Sequence, residues 1–220
     1  MSPPTFPDTR IWDDAYLRRG RLWGGTTSRL PLPPPGSRVL ELGCGSGKTA
    51  AVLAGENREL VAVDFSRAAV VMNRTREMVH PGSELVVADA RTLPFRKETF
   101  DAVFAIHVIG HMMYVDRRHA AAEIIRVLAR GGTLVFRSFS HNDFRSGQGE
   151  ETEQGTFRRG TGIITHYFDE EEVVDLFRPL ATISIQSFPW TLRVRGSDLA
   201  REEITAIFKK TNKISLSKKM

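Results

Sequence analysis

Residues 38–64 read RVLELGCGSGKTAAVLAGENRELVAVD, and the rest of the chain is best approached from here. Val39-Leu40-Glu41-Leu42 is a short apolar run of the kind that forms a buried parallel strand. Gly43, Cys44, Gly45, Ser46 and Gly47 then turn the chain into an amphipathic segment, Lys48 to Ala54, and a second apolar run, Leu60-Val61-Ala62-Val63, ends on Asp64. Strand, glycine turn, helix and strand with a terminal acid form a nucleotide site. The glycines let the backbone approach a ligand, and the acid after the second strand can accept hydrogen bonds from ribose hydroxyls. A P-loop would use Gly47-Lys48-Thr49 but needs a glycine where Leu42 stands, and a dinucleotide fingerprint needs one where Lys48 stands.

What remains is Glu41-x-Gly43-x-Gly45-x-Gly47, and later segments extend the pattern. Phe65-Ser66 follows Asp64, with Ser66 placed to cap a helix through Ala69, Val70, Met72 and Met78 to Val79, stopped by Pro81-Gly82. Glu84 to Ala88 reads as a third strand ending on Asp89-Ala90. Phe100 to Ile106 reads as a fourth, running into His107, Val108, Ile109, Gly110, His111 and Met112. Asp116 is expected to open a helix through Leu128, ended by Gly131-Gly132, before a fifth strand at Thr133 to Phe136. These blocks, in this order from Arg38 to Phe136, resemble the class I S-adenosylmethionine (SAM)-dependent methyltransferases.

The resemblance implies a single-domain α/β fold. It is Rossmann-like and doubly wound, with a seven-stranded, mostly parallel sheet, an antiparallel last strand and an N-terminal helical arm. It also implies SAM as cofactor and S-adenosylhomocysteine (SAH) as product. Glu41, Gly43, Cys44, Gly45 and Gly47 would hold the methionine and ribose portions, and Asp64 the ribose hydroxyls, with Phe65 against adenine. Asp89 and Ala90 would read the adenine edge, and Ala105, Ile106 and His107 would line the methyl side. Cys44 reads as a small residue packed beneath the ligand rather than a nucleophile.

Three regions fall outside the matching blocks. In the arm, residues 1–37, Trp12 and Tyr16 sit at helical spacing between Asp8 and Gly20, and the arm resembles the Trp/Tyr-containing segment of thiopurine and tellurite-resistance type enzymes, which folds over SAM. Trp23, before Gly24-Gly25, is the preferred ligand-contacting lid residue. Residues 137–166, within a catalytic domain spanning 38–210, are rich in Gly, charge and hydroxyls without sustained periodicity, which suits a substrate lid. Beyond them, Asp169 should cap a helix that Pro179 ends, and Ala181 to Ile185 should form a sixth strand, with Thr191 to Val194 as its candidate extension. Asp198 to Glu203 reads as a helical turn before a seventh strand ending at Lys209. Residues 211–220 form a basic tail.

Composition sets the outer bounds. At 220 residues the chain can form one full α/β domain, and its net charge of +5 permits an anionic partner without requiring one. Cys44 is the only cysteine, so no internal disulfide forms and a reducing cytosol is the natural home. The start, MSPPTFPDTR, lacks a signal pattern and no apolar run reaches the ~20 residues that span a bilayer, so a cytoplasmic protein without a membrane partner is expected. His107 and His111 are the candidate general bases because imidazole titrates near neutrality. The spacing of His107 and His111 lacks the glutamate of zinc hydrolases, and no metal is indicated. A small-molecule acceptor is the first expectation. The rivals are tRNA or rRNA, gripped by the basic tail and Arg158-Arg159, or a SAM-binding regulatory subunit without catalysis; an NAD-dependent oxidoreductase is weakest. Nothing in the sequence bears on oligomeric state.

Overall fold

The computed structural model describes residues 7–20, 22, 30–55, 57–75 and 83–211. Trp23, the Gly24-Gly25 pair, residues 76–82, where the sequence suggested a helix end, and the tail from 212 onward lie outside the described residues.

The chain opens with α1 (Pro7–Arg19) and then alternates β1 (Arg38–Leu42), α2 (Lys48–Leu53), β2 (Glu59–Asp64), α3 (Arg67–Thr75), β3 (Glu84–Val87) and β4 (Phe100–Ile106). After a 3-10 turn at Ile109–His111 come α4 (Tyr114–Val127), β5 (Leu128–Phe139), β6 (Glu150–Glu153), β7 (Thr156–Arg158), β8 (Ile164–His166), α5 (Glu170–Leu176), β9 (Ala181–Val194) and β10 (Ser197–Lys209). The main sheet has seven strands in the order β3-β2-β1-β4-β5-β10-β9. β1 to β5 pair in parallel, and β10, last in sequence, runs antiparallel to both β5 and β9. This is the doubly wound sheet with an antiparallel last strand expected from the sequence.

Strand periodicity explains the two layers. Because side chains alternate across a strand, Leu40, Leu42, Val61, Val63, Val103 and Ala105 enter one core with Ala120, Ile124, Val173 and Phe177, under α4 and α5. Val39, Leu60, Ala62, Ala102 and Phe104 enter a second core with Ala50 and Leu53 of α2. The chain winds outward from β1 to β3 and then crosses back to β4, so the reversal lies between β1 and β4. Ligands of open α/β sheets sit at the carboxyl ends of the strands at such a reversal.

Several local expectations are corrected. α4 starts at Tyr114, not Asp116, because its first free N–H, that of Tyr114, donates to the Glu153 carboxylate of β6 at 2.8 and 3.0 Å. That cap is distant in sequence and leaves no local signal. β5 begins before the glycines rather than after them: it pairs at Phe100↔Leu128, bulges, and resumes at Ala102↔Thr133. Residues 198–203 are strand throughout, since Ser197 to Lys209 pairs with β9 along its length. β9 is one strand of 14 residues. It is the sheet's edge, where Pro189, lacking an N–H, is tolerated. Residues 137–166 are no structureless loop: 137–139 complete β5, and β6, β7 and β8 form a separate antiparallel sheet.

Candidate functional site

At the β1 carboxyl end the backbone must turn under a ligand, and Gly43, Gly45 and Gly47 take φ values of +67°, +51° and +78°. Space is as tight as conformation: a Cβ on Gly43 would lie 2.7 Å from Val108 Cγ2, and one on Gly45 2.6 Å from the Tyr16 hydroxyl. The turn is tied to β2 by Cys44 N–H donating to Val63 O at 2.9 Å and Gly45 N–H donating to Asp64 Oδ2 at 2.8 Å. Asp64 Oδ1 accepts from Ser66 N–H at 2.9 Å, and Asn73 Nδ2 donates to Gly45 O at 2.6 Å. Burial pushes the Asp64 carboxyl up to about 6 against those two backbone donors.

Glu41 lies on the floor of this turn. It is 2% exposed, and Oε2 has no hydrogen-bond partner among the described residues. Burial, reinforced by Asp64, pushes its carboxyl up to about 8. An orphaned buried carboxylate beneath a glycine cradle fits a bound cation, such as an amino group, that would satisfy the oxygen and restore its charge. The Cys44 thiol is pushed well up by burial and by Asp64 and Glu41, so it is an inert packing group held near Asn73.

The walls come from the next strand ends and from the arm. Phe65, Asp89, Ala90 and Ile106 line the same cavity of about 990 Å³. Asp89 is gripped by the Arg91 guanidinium (2.7 and 3.0 Å), which also reaches Asp116 at 2.8 Å. Trp12 and Tyr16 of α1 close one side, with the Trp12 ring 4.9 Å from His111 and 6.4 Å from Phe65. Asp13 fixes the arm by accepting from Ser66 Oγ at 2.5 Å and Ala68 N–H at 3.0 Å, so that α1 helps to cap α3. Trp23, preferred from sequence as the lid, lies outside the described residues; Trp12, Tyr16 and Pro31 are the described arm residues that line the cavity.

Two expected site residues do not face it. The Ala105 side chain is fully buried in the core shared with α4 and α5, because the strand period that brings Ile106 to the cavity turns its neighbour away. Gly47 is absent from the lining and supplies the left-handed residue that starts α2.

The cavity continues past the strand ends into a half the sequence reading largely missed. Its wall is the β9–β10 hairpin, through Phe188, Trp190, Leu192, Arg201, Glu203 and Ile207, together with Arg137, Phe139 and Arg145. Of residues 137–166, only those three line it, whereas β6–β8 brace it from outside. His107, at φ +53°, places Nε2 3.0 Å from Glu203 Oε1, and its Nδ1 is buried without a partner among the described residues. Burial raises the Glu203 carboxyl, but His107, Arg137 and Arg201 outweigh it and hold it below the usual range. His111 Nδ1 donates to Ile164 O of β8 at 2.8 Å. Burial, aided by His107 and Arg159, lowers its pKa to about 4 despite that carbonyl, so the ring is neutral at pH 7 with Nε2 unprotonated. The only sequence signal for the hairpin wall was alternation in β10, which marks a strand but not what its faces meet.

Residues 40–136 match the methyltransferase domain family. Over those residues the chain is similar to this domain, and its sheet order with an antiparallel last strand is the fold of a solved SAM-dependent methyltransferase. Among curated relatives, the chain is 38% identical over 120 residues to a demethylmenaquinone methyltransferase of Clavibacter sepedonicus, covering 54% of this chain and 48% of that one. It is 36% identical over 118 residues to a probable tRNA methyltransferase 9B of Mus musculus, covering 53% and 25%. The chain thus spans about half, or less, of the length of these relatives. Among solved structures, a SAM-dependent methyltransferase from Methanosarcina mazei superposes with a TM-score of 0.67 at 22% identity, over 82% of this chain and 95% of the other. No helix of the described residues is long and apolar enough to cross a membrane.

Proposed function

We propose that the protein transfers a methyl group from SAM to a nucleophile on a small molecule, leaving SAH. The observation that carries this reading is one continuous cavity of about 990 Å³, whose floor is the orphaned Glu41 carboxylate and whose far half is walled by the β9–β10 hairpin. Ligand pockets span ~300–1,000 Å³, so this one has room for the cofactor and a small acceptor together. SAM supplies an electrophilic methyl on a sulfonium whose departure needs no acid. The protein's task is to hold the acceptor in line with that methyl in a dry site.

Within this reading Glu41 binds the cofactor's amino group. Gly43 and Gly45 leave room for its backbone-hugging portion over Cys44, and Gly47 sets the turn. Asp64 uses its remaining lone pairs for the ribose hydroxyls, Phe65 and Trp12 cover the adenine side, and Ala90 with Asp89 reads the adenine edge. Ile106 faces the methyl. His111 Nε2 accepts the acceptor's proton as the new bond forms. His107, bound to Glu203 at 3.0 Å, positions that carboxylate at the wall.

Incubation with methyl-labelled SAM and a cell extract divided by nuclease treatment tests this. Label in the small-molecule fraction supports the reading. Label confined to the nuclease-sensitive fraction would establish the RNA alternative, which draws support from the resemblance to a probable tRNA methyltransferase. Against that alternative, Arg158 is paired with Glu150 at 3.4 Å. SAM binding without transfer to either fraction would mark a regulatory subunit.

A further inference from the structure

The far half of the cavity carries unbalanced charge beside apolar surface. Arg201, buried, is paired with the buried Asp143 and stacked among Phe139, Trp190 and Phe144, with its guanidinium carbon 4.5, 5.2 and 5.7 Å from the ring centroids. Glu203 answers His107 at 3.0 Å and Arg137 at 3.9 Å. Arg145 remains. It lines the cavity and lies over Phe144 at 5.3 Å, yet its guanidinium has no ion pair or hydrogen bond among the described residues. The field around it is cationic: burial, then Arg201 and Arg159, depress its pKa, with Asp143 opposing. Behind it the Tyr167 hydroxyl, on a side chain 3% exposed, has no partner among the described residues although it feels Arg159, Asp143, Arg145 and Arg201. Next to this cluster Phe188 and Trp190 line the cavity while 40% and 37% exposed, which leaves apolar faces for a ligand to cover.

Resting on the methyltransferase reading above, we propose that the methyl acceptor is an aromatic carboxylate, with its carboxylate on Arg145 and its ring against Phe188 and Trp190. A guanidinium recognises a carboxylate through two parallel N–H donors, an arrangement that a neutral amide cannot reproduce. One cavity-lining guanidinium without a counter-charge calls for one negative charge, which favours a carboxylate over a phosphate dianion. The aromatic walls favour a planar body, since ring pairs gain energy beyond the area they bury.

The test uses the full chain saturated with SAH and three probes, 2-naphthoate, 2-naphthamide and 2-naphthyl phosphate, titrated by calorimetry or ligand-observed NMR. The expected result is that naphthoate binds about tenfold to a hundredfold tighter than naphthamide, the range of a charge-assisted hydrogen-bonded pair. Arg145→Met should abolish that preference and Arg145→Lys retain part of it, with SAH affinity unchanged in both. Naphthoate binding no tighter than the amide would overturn the proposal, as would a preference that survives in Arg145→Met or naphthyl phosphate outcompeting both. SAH failing to bind the wild-type protein would instead overturn the cofactor reading on which the proposal rests.

Discussion

At the scale of single residues, the site is built from groups held in states they would not adopt in water. Asp64 is the clearest case, since one carboxylate holds the glycine turn and the start of α3 while facing the cavity. Asp64→Ala should weaken SAM binding by about 1.5–3 kcal/mol, the value of hydrogen bonds to a charged group; calorimetry giving an unchanged affinity would remove Asp64 from the ribose role. His107 sits at φ +53°, where a side chain is strained and glycine is not. His107→Gly should therefore be more stable than His107→Ala by about 1 kcal/mol in urea unfolding. The depressed pKa of His111 sets a pH profile. A base must be deprotonated, so activity carried by this group should be present above pH ~4 and decline only as the pH falls through it. An acid limb near 6.5 would assign the proton to another group.

Elements act here through contacts that close the site from a distance. α1 is attached to the sheet's helices by Asp13, whose carboxylate supplements the Ser66 cap of α3. Asp13→Ala should cost about 1 kcal/mol, as other lost helix caps do, and should lower SAH affinity because Trp12 and Tyr16 lose their anchor; a variant with weakened stability and wild-type SAH affinity would show that the arm is only packing. β6–β8 serve as a brace. Arg117, a buried residue of α4, reaches Glu153 of β6 at 2.7 Å and Glu172 of α5 at 3.6 Å, and His166 of β8 bonds both Thr156 Oγ1 and Glu172 at 2.8 Å. Through Ile164 O this brace sets the His111 tautomer. Arg117→Met, which takes the donor from these part-exposed carboxylates and from the buried Thr156 hydroxyl, should destabilise the protein by about 1–3 kcal/mol.

For the whole molecule, the free site stores electrostatic cost that a bound cation would relieve. The folded-state pKa of Glu41, about 8, lies above the usual carboxylate range, so the folded protein holds a proton that the unfolded chain has released. The stability associated with this group is full below the unfolded value and is lost as the pH rises through 8. His111 slopes the other way, but only below its ordinary value of 6.5. Between pH 6.5 and 8.5 the Tm of the free protein should therefore fall, less steeply with saturating SAH and less steeply in Glu41→Gln. A Tm that is flat over this range in the free wild-type protein would count against a protonated Glu41.

Much of the fold was legible in the sequence because β1, β2 and β4 announce themselves by short, mainly apolar runs, and the turn after β1 by glycines that only a tight, left-handed path requires. The near half of the cavity was legible for the same reason: Glu41, Gly43, Asp64, Phe65 and Asp89 each stand at a strand end, where local order alone places them together. Ala105 shows the limit, since a strand end does not reveal which face a residue takes until the sheet has been packed. The acceptor half was decided by tertiary structure. Arg145, Phe188, Trp190, Arg201 and Glu203 come from segments far apart in sequence, joined only when β10 inserts antiparallel between β5 and β9. Their convergence depends on strand register and on long-range burial, and neither leaves a periodic trace. Local chemistry along the chain thus determined the parallel sheet and the glycine turn with its acids, while non-local pairing decided the shape and charge of the cavity's far half.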